Sequence, residues 1–355
     1  MLVRRSISLA NGTAIGEGCA PFFAAEIGIN HNGDLELARE MIRAAARAGA
    51  TAVKFQNYLT EDFIADRSLT HTYLSGGKEV VESQYEMFKR CELGAKDLRL
   101  LRSEADQCGV LFFTTPTGET TLNDAVEAGV SLLKNGSDYL GHLPLIRAMA
   151  RTGIPTVLST GMALLTDIED AVTAFEGAGG TQLILLHCVS SYPTPPADVN
   201  LHKIAALRDA FGVPVGFSDH TEGSAAAIVA VALGACFIEK HFTIDRNLPG
   251  PDHWFSADES AFAELTKGCR TAYATLGSSV LRPTAEEALN RMQWRLSCTA
   301  ADDLRAGEIL SSSHIAFARP GSGYPPKAVD EILGRVLTTD LPKGATFTRR
   351  DFVGG

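Results

Sequence analysis

The 355 residues are 45% apolar and 21% charged and carry a net charge of −10, which describes a globular protein with one large domain plus a small one, or two of average size. That charge excludes a general nucleic-acid binder, which needs clustered Lys and Arg, but not a local basic pocket. The chain has no run of 18 apolar residues, no apolar stretch after the basic "MLVRRSISLANG" and no CxxC pair among its seven cysteines, so a cytoplasmic protein with reduced thiols and no membrane span is expected.

Residues 1–20 read as a short hairpin able to close the bottom of a barrel. Eight strand candidates follow: 22–29, 52–56, 110–116, 132–137, 156–161, 182–189, 214–220 and 236–243. They are short, apolar and rich in β-branched or aromatic residues, as buried parallel strands are. Amphipathic segments separate them. The first, 35–49, has Asp34 as N-cap, Leu37, Met41, Ala45 and Ala48 at helical spacing, and Gly49 at its end. The alternation predicts a (β/α)8 TIM barrel over 1–280. A doubly wound open sheet also alternates, but gathers its ligand residues mainly at one switch point. Residues 281–294, with one helical segment, read as a linker. Residues 295–355 show short strands and turns and bury only a modest core.

Polar residues cluster where the strand candidates end. Lys54 and Gln56 lie in "AVKFQ", Lys134 and Ser137 in "LLKNGS", Ser218 and His220 in "GFSDHT", and Glu239 and His241 in "FIEKHFT". Side chains alternate along a strand, so each i, i+2 pair shares a face, as do Glu26, Gly28 and Asn30. In a barrel, strand C-termini converge on one face and assemble a site from distant segments. His220 and His241, on adjacent strands, suit a metal with positions left for water and substrate, and Asp252 and His253 in "GPDHW" reinforce it. Two hydrogen-bonded core histidines are the plainer alternative. Such a mixed N/O site suits Mn, Co, Zn or Fe. Lys54, Lys134, Ser137, Ser159, Ser190 and Ser218 form an anion pocket, since a buried lysine without an anionic partner is costly. "STG" at 159–161 is also ordinary turn chemistry. His187 and Cys188 invite a nucleophile reading, against which stands the frequency of Cys in buried strands.

Longer motifs carry a resemblance. "AEIGINHNGDLELA", "AVKFQ", "YEMFKRCEL", "LSTGMA", "LHCVSSYPTP", "GFSDHT", "AVALGACFIEKHFT" and "GPDHWFS" resemble the bacterial sialic acid synthases, including the N-acetylneuraminate, legionaminic and pseudaminic acid enzymes. "LRAGEIL", "ARPGSGYPP" and "LPKGATF" resemble the antifreeze-like (SAF, β-clip) domain that ends them. The resemblance implies a TIM barrel, a linker and a homodimer with swapped C-terminal domains. It implies condensation of phosphoenolpyruvate with an N-acetylated hexosamine, giving a nine-carbon 2-keto acid and phosphate. It assigns a divalent metal, usually manganese with magnesium or cobalt as alternatives, to His220 and His241. Phosphoenolpyruvate falls to Lys54, Lys134, Ser137, Ser159 and Ser218, and to Ser190, whose position is Asn in some members. Gln56, Tyr192 and Asp252 face the sugar, and Arg319 in "ARPG" reaches the partner's sugar N-acetyl group. Glu26 and Glu239 stand near the reacting atoms, either able to activate water. A related 3-deoxy-sugar-acid or aldolase-type enzyme, or a non-catalytic sugar-binding regulator, would keep the same fold.

Overall fold

Eight parallel strands close into a ring in the computed structural model, which describes residues 6–352. They are β1 (Phe22–Gly28), β2 (Ala52–Asn57), β3 (Leu111–Pro116), β4 (Leu133–Asn135), β5 (Thr156–Ser159), β6 (Leu183–Cys188), β7 (Val215–Asp219) and β8 (Phe237–His241). Each pairs with its successor, and β8 pairs with β1. A helix follows every strand: α1 (Leu35–Arg47), α2 (Ala95–Gln107), α3 (Glu119–Ala128), α4 (Leu143–Arg151), α5 (Leu165–Gly177), α6 (Lys203–Phe211), α7 (Ala225–Ala232) and α8 (Glu259–Leu276). The closed ring makes this a TIM barrel and excludes the open sheet.

Strand parity divides the core into two. Phe23, Val53, Phe112, Leu158, Leu185 and Phe217 point outward and pack with the helices in one cluster. Their neighbours Phe22, Ala24, Ala52, Phe113, Val157, Ile184 and Phe237 form a second cluster inside the ring. Ile7, Leu9 and Ile15 join that inner cluster; they belong to the hairpin of Ser6–Ser8 with Ala14–Gly16, which therefore plugs the bottom. Residues 1–5 of the expected hairpin lie outside the described residues. Two steps further along the same parity stand Glu26, Lys54, Lys134, Ser159, Ser218 and Glu239. Apolar packing fills the lower interior, and the polar residues form the layer above it.

One strand departs from strict alternation. The β1–β2 register slips between Glu26 and Gly28, where Gly28 adopts φ +53°, a conformation costly to residues with a Cβ. The expected shared face of Glu26, Gly28 and Asn30 therefore ends at Glu26. Asn30 instead donates to the Phe242 carbonyl at 2.9 Å and to Ser256 Oγ at 3.0 Å, which ties the end of β1 to the chain beyond β8.

The β2–α2 connection holds structure that strand-and-helix alternation does not predict. It contains short helices at Thr60–Phe63 and Gln84–Lys89 and a hairpin of Thr70–Ser75 with Lys78–Ser83. Gly76 and Gly77 form its two-residue turn, with φ of +56° and +76°, as such turns demand. A Gly-Gly pair between two alternating runs is the signal that could have revealed it.

The chain divides into two compact units, Met1–Gly277 and Ser278–Gly355. The second begins with a helix, Ala285–Trp294, closed by a Thr284–Glu287 capping box. Its own small core gathers Cys298, Leu304, Leu310, Ile332, Leu337, Phe347 and Phe352 around the antiparallel pair Ser297–Ala300 and Ile315–Ala318.

The start of α1 is set by Asp34, whose carboxylate accepts from the backbone N–H groups of Glu36 (2.8 Å) and Leu37 (3.2 Å). Asp34→Ala removes these partners and should lower stability by about 1 kcal/mol. A fall in the denaturant midpoint without a change in the slope of the transition would show it.

Candidate active site

At the C-terminal mouth of the barrel, four charged side chains meet in the interior. Lys54 Nζ lies 2.8 Å from Glu26 Oε2 and 3.9 Å from Glu239 Oε1, and Lys134 Nζ lies 3.8 Å from the same Glu239 oxygen. All four are at most 5% exposed. Registers between neighbouring strands place them there, with Glu26 beside Lys54 and Ser218 beside Glu239. Lys54 also donates to Thr115 Oγ1 at 3.3 Å. Lys134 donates to Ser159 Oγ at 2.6 Å and to the Asn135 carbonyl at 3.2 Å. An ammonium has three donors, so each lysine keeps capacity for an incoming anion.

The electrostatics are those of a shared pocket. Burial raises the pKa of Glu26, although Lys54 opposes it. Burial also pushes Glu239 upward, but Lys134 and Lys54 outweigh it and hold this carboxyl below its ordinary value. Burial depresses Lys134 more than Glu239 restores it. For Lys54, Glu239 and Glu26 outweigh burial and raise the value. Glu239 is thus the charged carboxylate at the centre, and Glu26 the one with higher proton affinity.

A small-donor cradle adjoins the lysines. Ser137 Oγ accepts from the Gly161 N–H at 3.0 Å and lies 3.0 Å from Cys188 Sγ. A Cβ on Gly161 would fall 2.5 Å from Ser190 Oγ, 2.7 Å from Ser137 Oγ and 2.8 Å from Cys188 Sγ. Glycine is required there because three side chains close on its backbone. These groups line an inner chamber of about 350 Å³ together with Lys54, Lys134, Ser159, Ser218, His220, Glu239 and His241. An outer chamber of about 590 Å³ shares Gln56, Ser190, Tyr192 and His241 with it and adds Asp252.

The two predicted metal ligands face each other, with ring centroids 5.6 Å apart. Burial lowers the proton affinity of both imidazoles, that of His241 strongly and with His220 contributing. His220 Nδ1 sits 2.7 Å from the Val189 carbonyl, so it carries the proton and leaves a lone pair on Nε2, which lies 3.3 Å from Ser218 Oγ. This backbone contact is the usual support of a ligating histidine. His241 Nδ1 is buried without a hydrogen-bond partner, with Asp252 Oδ2 at 3.6 Å. Among the described residues no three His, Cys, Asp or Glu side chains converge on one point. With a free lone pair on His220 Nε2 and a buried, unpartnered His241 Nδ1, the pair fits a cation that takes two ligands from the protein and the others from water or substrate.

One expectation for the site is corrected. His253 does not extend the histidine pair. It is fully buried, with Nδ1 2.7 Å from Thr243 Oγ1 and Nε2 3.2 Å from Asn32 Nδ2, and burial lowers its pKa to about 4. It braces the loop that carries Asp252. His187 and Cys188 form no nucleophilic pair, as the frequency of Cys in buried strands suggests. They are consecutive on β6 and face opposite sides; His187 Nε2 bonds the Val199 carbonyl at 2.6 Å and its ring stacks on Phe217.

Of the remaining sequence candidates, Gln56 donates to Glu26 Oε1 at 3.0 Å. The Tyr192 ring lies 4.2 Å from that of His220. Burial raises the Asp252 pKa to about 7, and Glu26 adds to the effect. Arg319 is exposed and belongs to the second unit.

Residues 41–281 match the NeuB family and 297–353 the SAF domain. The chain belongs to the NeuB family. This is the group of enzymes that its motifs resemble, and the SAF match lies where the tail motifs do. Among similar proteins is an uncharacterised protein of Methanocaldococcus jannaschii, MJ1065, 40% identical over 96% of this chain and 97% of its own. The N,N'-diacetyllegionaminic acid synthase of Legionella pneumophila is 37% identical over 93% of this chain and 94% of its own. The crystal structure of N-acetylneuraminic acid synthetase from Leptospira borgpetersenii, in complex with citrate, is 37% identical, with a TM-score of 0.72 over 80% of this chain and 94% of that one.

This NeuB-family site also uses residues that strand-end reading passes over. Thr115 has the inward parity of β3, yet "FTTP" carries no charge to draw notice. The cradle at Gly161 gathers residues from the ends of β4, β5 and β6 and leaves no local pattern. Asp219 and Lys240 form a buried outward pair, Oδ2 to Nζ 2.9 Å, opposite each other in register. Asp219 also accepts from the backbone and hydroxyl of Thr221. This pair fixes the heights of β7 and β8 and so of His220 and His241.

Gly161→Ala should weaken binding of a small phosphate-bearing anion roughly tenfold or more, because the methyl group enters the donor cradle. Titration calorimetry with near-UV dichroism as a fold control checks it; unchanged affinity would count against the cradle as an anion site.

Proposed function

We propose that this NeuB-family enzyme condenses phosphoenolpyruvate with an N-acetylated hexosamine and water, giving a nine-carbon 2-keto acid and inorganic phosphate, as a nonulosonic acid synthase. The carrying observation is the buried arrangement of Lys54 and Lys134 around Glu239, directly beside two neutral imidazoles. It supplies cations for an anionic donor, a carboxylate for proton transfer and a pair of ligands within one chamber. The names of the relatives, which are acid synthases of this class, support the reading.

Lys54, Lys134 and the hydroxyls of Ser137, Ser159, Ser190 and Ser218 hold the donor's phosphate and carboxylate. Gln56, Tyr192 and Asp252 position the open-chain sugar so that its aldehyde carbon meets the enol carbon. The enol electron pair forms the new C–C bond as the aldehyde's C=O π pair moves onto its oxygen, which takes up a proton to become a hydroxyl, and positive charge is left on C2 of the donor. Water adds at C2, its proton passes to a carboxylate, and the adduct collapses to the keto acid by expelling phosphate. Glu26 suits the proton-accepting role, because burial has raised its affinity toward the working range. Glu239, held charged by two ammonium groups, suits stabilisation of the cationic C2. His220 and His241 would hold a divalent metal, manganese foremost with magnesium and cobalt as alternatives, which when bound supplies Lewis-acid polarisation of the aldehyde oxygen.

The decisive experiment follows inorganic phosphate from phosphoenolpyruvate in the presence of candidate amino sugars. Release should require both substrates and a divalent cation; release without sugar, or none with any sugar, overturns the reading. His220→Ala and His241→Ala should each lower turnover by at least about 100-fold and weaken metal binding, with the dichroism spectrum retained, since strand-top residues serve function more than stability. Arg319 is assigned to the acetamido carbonyl of a sugar held in the partner of a cytoplasmic homodimer. Mixing an inactive Arg319→Ala chain with an inactive Lys54→Ala chain should then restore activity to the heterodimer's one complete site. No recovery despite demonstrated subunit exchange would exclude action in trans.

A further inference from the structure

The connection from β6 to α6 supplies Ser190 and Tyr192 to the inner chamber. Most of it faces solvent, and within 189–198 Thr194 is the only buried residue. A buried hydroxyl is costly unless it is paired. That of Thr194 donates to the Ser191 carbonyl at 2.8 Å, with the Val189 carbonyl at 3.4 Å. The bond closes the chain into a tight turn. Thr194 itself lines neither chamber, so it touches nothing bound there.

The turn is fastened twice to one residue, His220. The Thr194 N–H donates to the His220 carbonyl at 2.8 Å, and His220 Nδ1 in return donates to the Val189 carbonyl at 2.7 Å. That carbonyl also accepts from the Ser191 N–H at 2.9 Å, so both of its lone pairs are used and its direction is fixed. Between these two fastenings stands Tyr192, with its ring 4.2 Å from that of His220, 5.8 Å from that of His241 and 5.4 Å from that of Phe255. The shape of this short segment therefore governs what the His220 imidazole faces.

We propose that Thr194 is a positioning residue for the metal pair: its hydroxyl holds the 189–194 turn in the shape that presents the Val189 carbonyl to His220, which keeps the imidazole proton on Nδ1 and the Nε2 lone pair free for a cation. The inference rests on the reading of His220 and His241 as metal ligands and adds to it a residue that touches neither metal nor substrate. A neutral imidazole carries its proton on either nitrogen, and the acceptor it faces decides which. With the carbonyl turned away, the proton can move to Nε2 and point at Ser218 Oγ, 3.3 Å distant. That tautomer has no lone pair where the metal needs one. Loss of the Thr194 hydroxyl removes the donor to the Ser191 carbonyl and with it the closure of the turn, while the His220 ring and its strand stay in place. Supports of this kind behind a ligating histidine typically govern about 10- to 100-fold of metal affinity.

The test compares Thr194→Val, which keeps the shape of the side chain without its hydroxyl, with Thr194→Ser, which keeps the hydroxyl. Both are made in the full-length chain. Nuclear magnetic resonance of isotope-labelled histidine in the metal-free protein reads the tautomer directly, with the His220 signals identified by their loss in His220→Gln. The unsubstituted chain and Thr194→Ser should show the proton on Nδ1, and Thr194→Val a mixture of the two forms. Manganese, titrated calorimetrically, should bind Thr194→Val about tenfold or more weakly, and Thr194→Ser within about threefold of the unsubstituted chain. Thr194→Ala also lacks the hydroxyl and takes the same two readings should the valine variant not fold. A lower melting temperature with tautomer and manganese affinity both unchanged overturns the proposal, as does a loss in Thr194→Ser equal to that in Thr194→Val. Failure of the unsubstituted chain to bind manganese counts against the metal reading alone, because the tautomer is read without metal.

Discussion

The upper half of the barrel depends on the burial of two ammonium groups. An isolated charge in such surroundings costs several kcal/mol even after relaxation, so Lys54 and Lys134 can occupy the interior only with Glu26 and Glu239 in place. Their contacts to Glu239, at 3.8 and 3.9 Å, are too long for direct hydrogen bonds. The carboxylate offsets their charge without consuming their donors. This is the condition for a pocket that stays folded when empty and still binds an anion. It also explains why the apolar plug below is so complete, because water entering from the bottom would weaken every interaction above it.

The same strands carry a second charged pair on their other face. Asp219 and Lys240 are buried against the helices, with Lys240 also donating to the Thr221 carbonyl. Removing one member of such a pair leaves an uncompensated charge and is far more damaging than removing both. The two strand ends are therefore pinned in height by an interaction that never touches substrate. Rigid support behind functional side chains is what a site that relies on orientation requires.

Much of this was legible in the chain itself. The eight strands announce themselves as short apolar runs, and alternation correctly sends Lys54, Ser218 and Glu239 to one interior, because parity along a strand is a rigid geometric property. It fails at Asn30, since a bulge at a positive-φ glycine inserts a residue that no alternation count contains. The "GPDHW" motif misplaces His253 for a different reason, since its neighbour Asp252 faces the chamber while its own ring turns into the loop. The β2–α2 hairpin went unseen because eight β/α units already account for the barrel, and the Gly76–Gly77 turn lies inside a connection expected to be irregular. The cradle around Gly161 is beyond local reading altogether, being made by residues 137, 188 and 190 that only the closed ring brings together.

The in-register stacking of acid over base on β7 and β8 has an evolutionary corollary. Along β8, Glu239, Lys240 and His241 alternate inward, outward and inward. Deleting a single residue upstream would turn the strand over, moving Lys240 into the chamber in place of Glu239, among Lys54 and Lys134, and Glu239 into the helix layer opposite Phe217. Point substitutions at these positions can be explored one at a time, but length changes within the strand cannot. Innovation in this architecture is thus channelled into the loops, and the β2–α2 connection, long enough to hold a hairpin of its own, is where such variation can be absorbed without disturbing the sign of the charge at the centre.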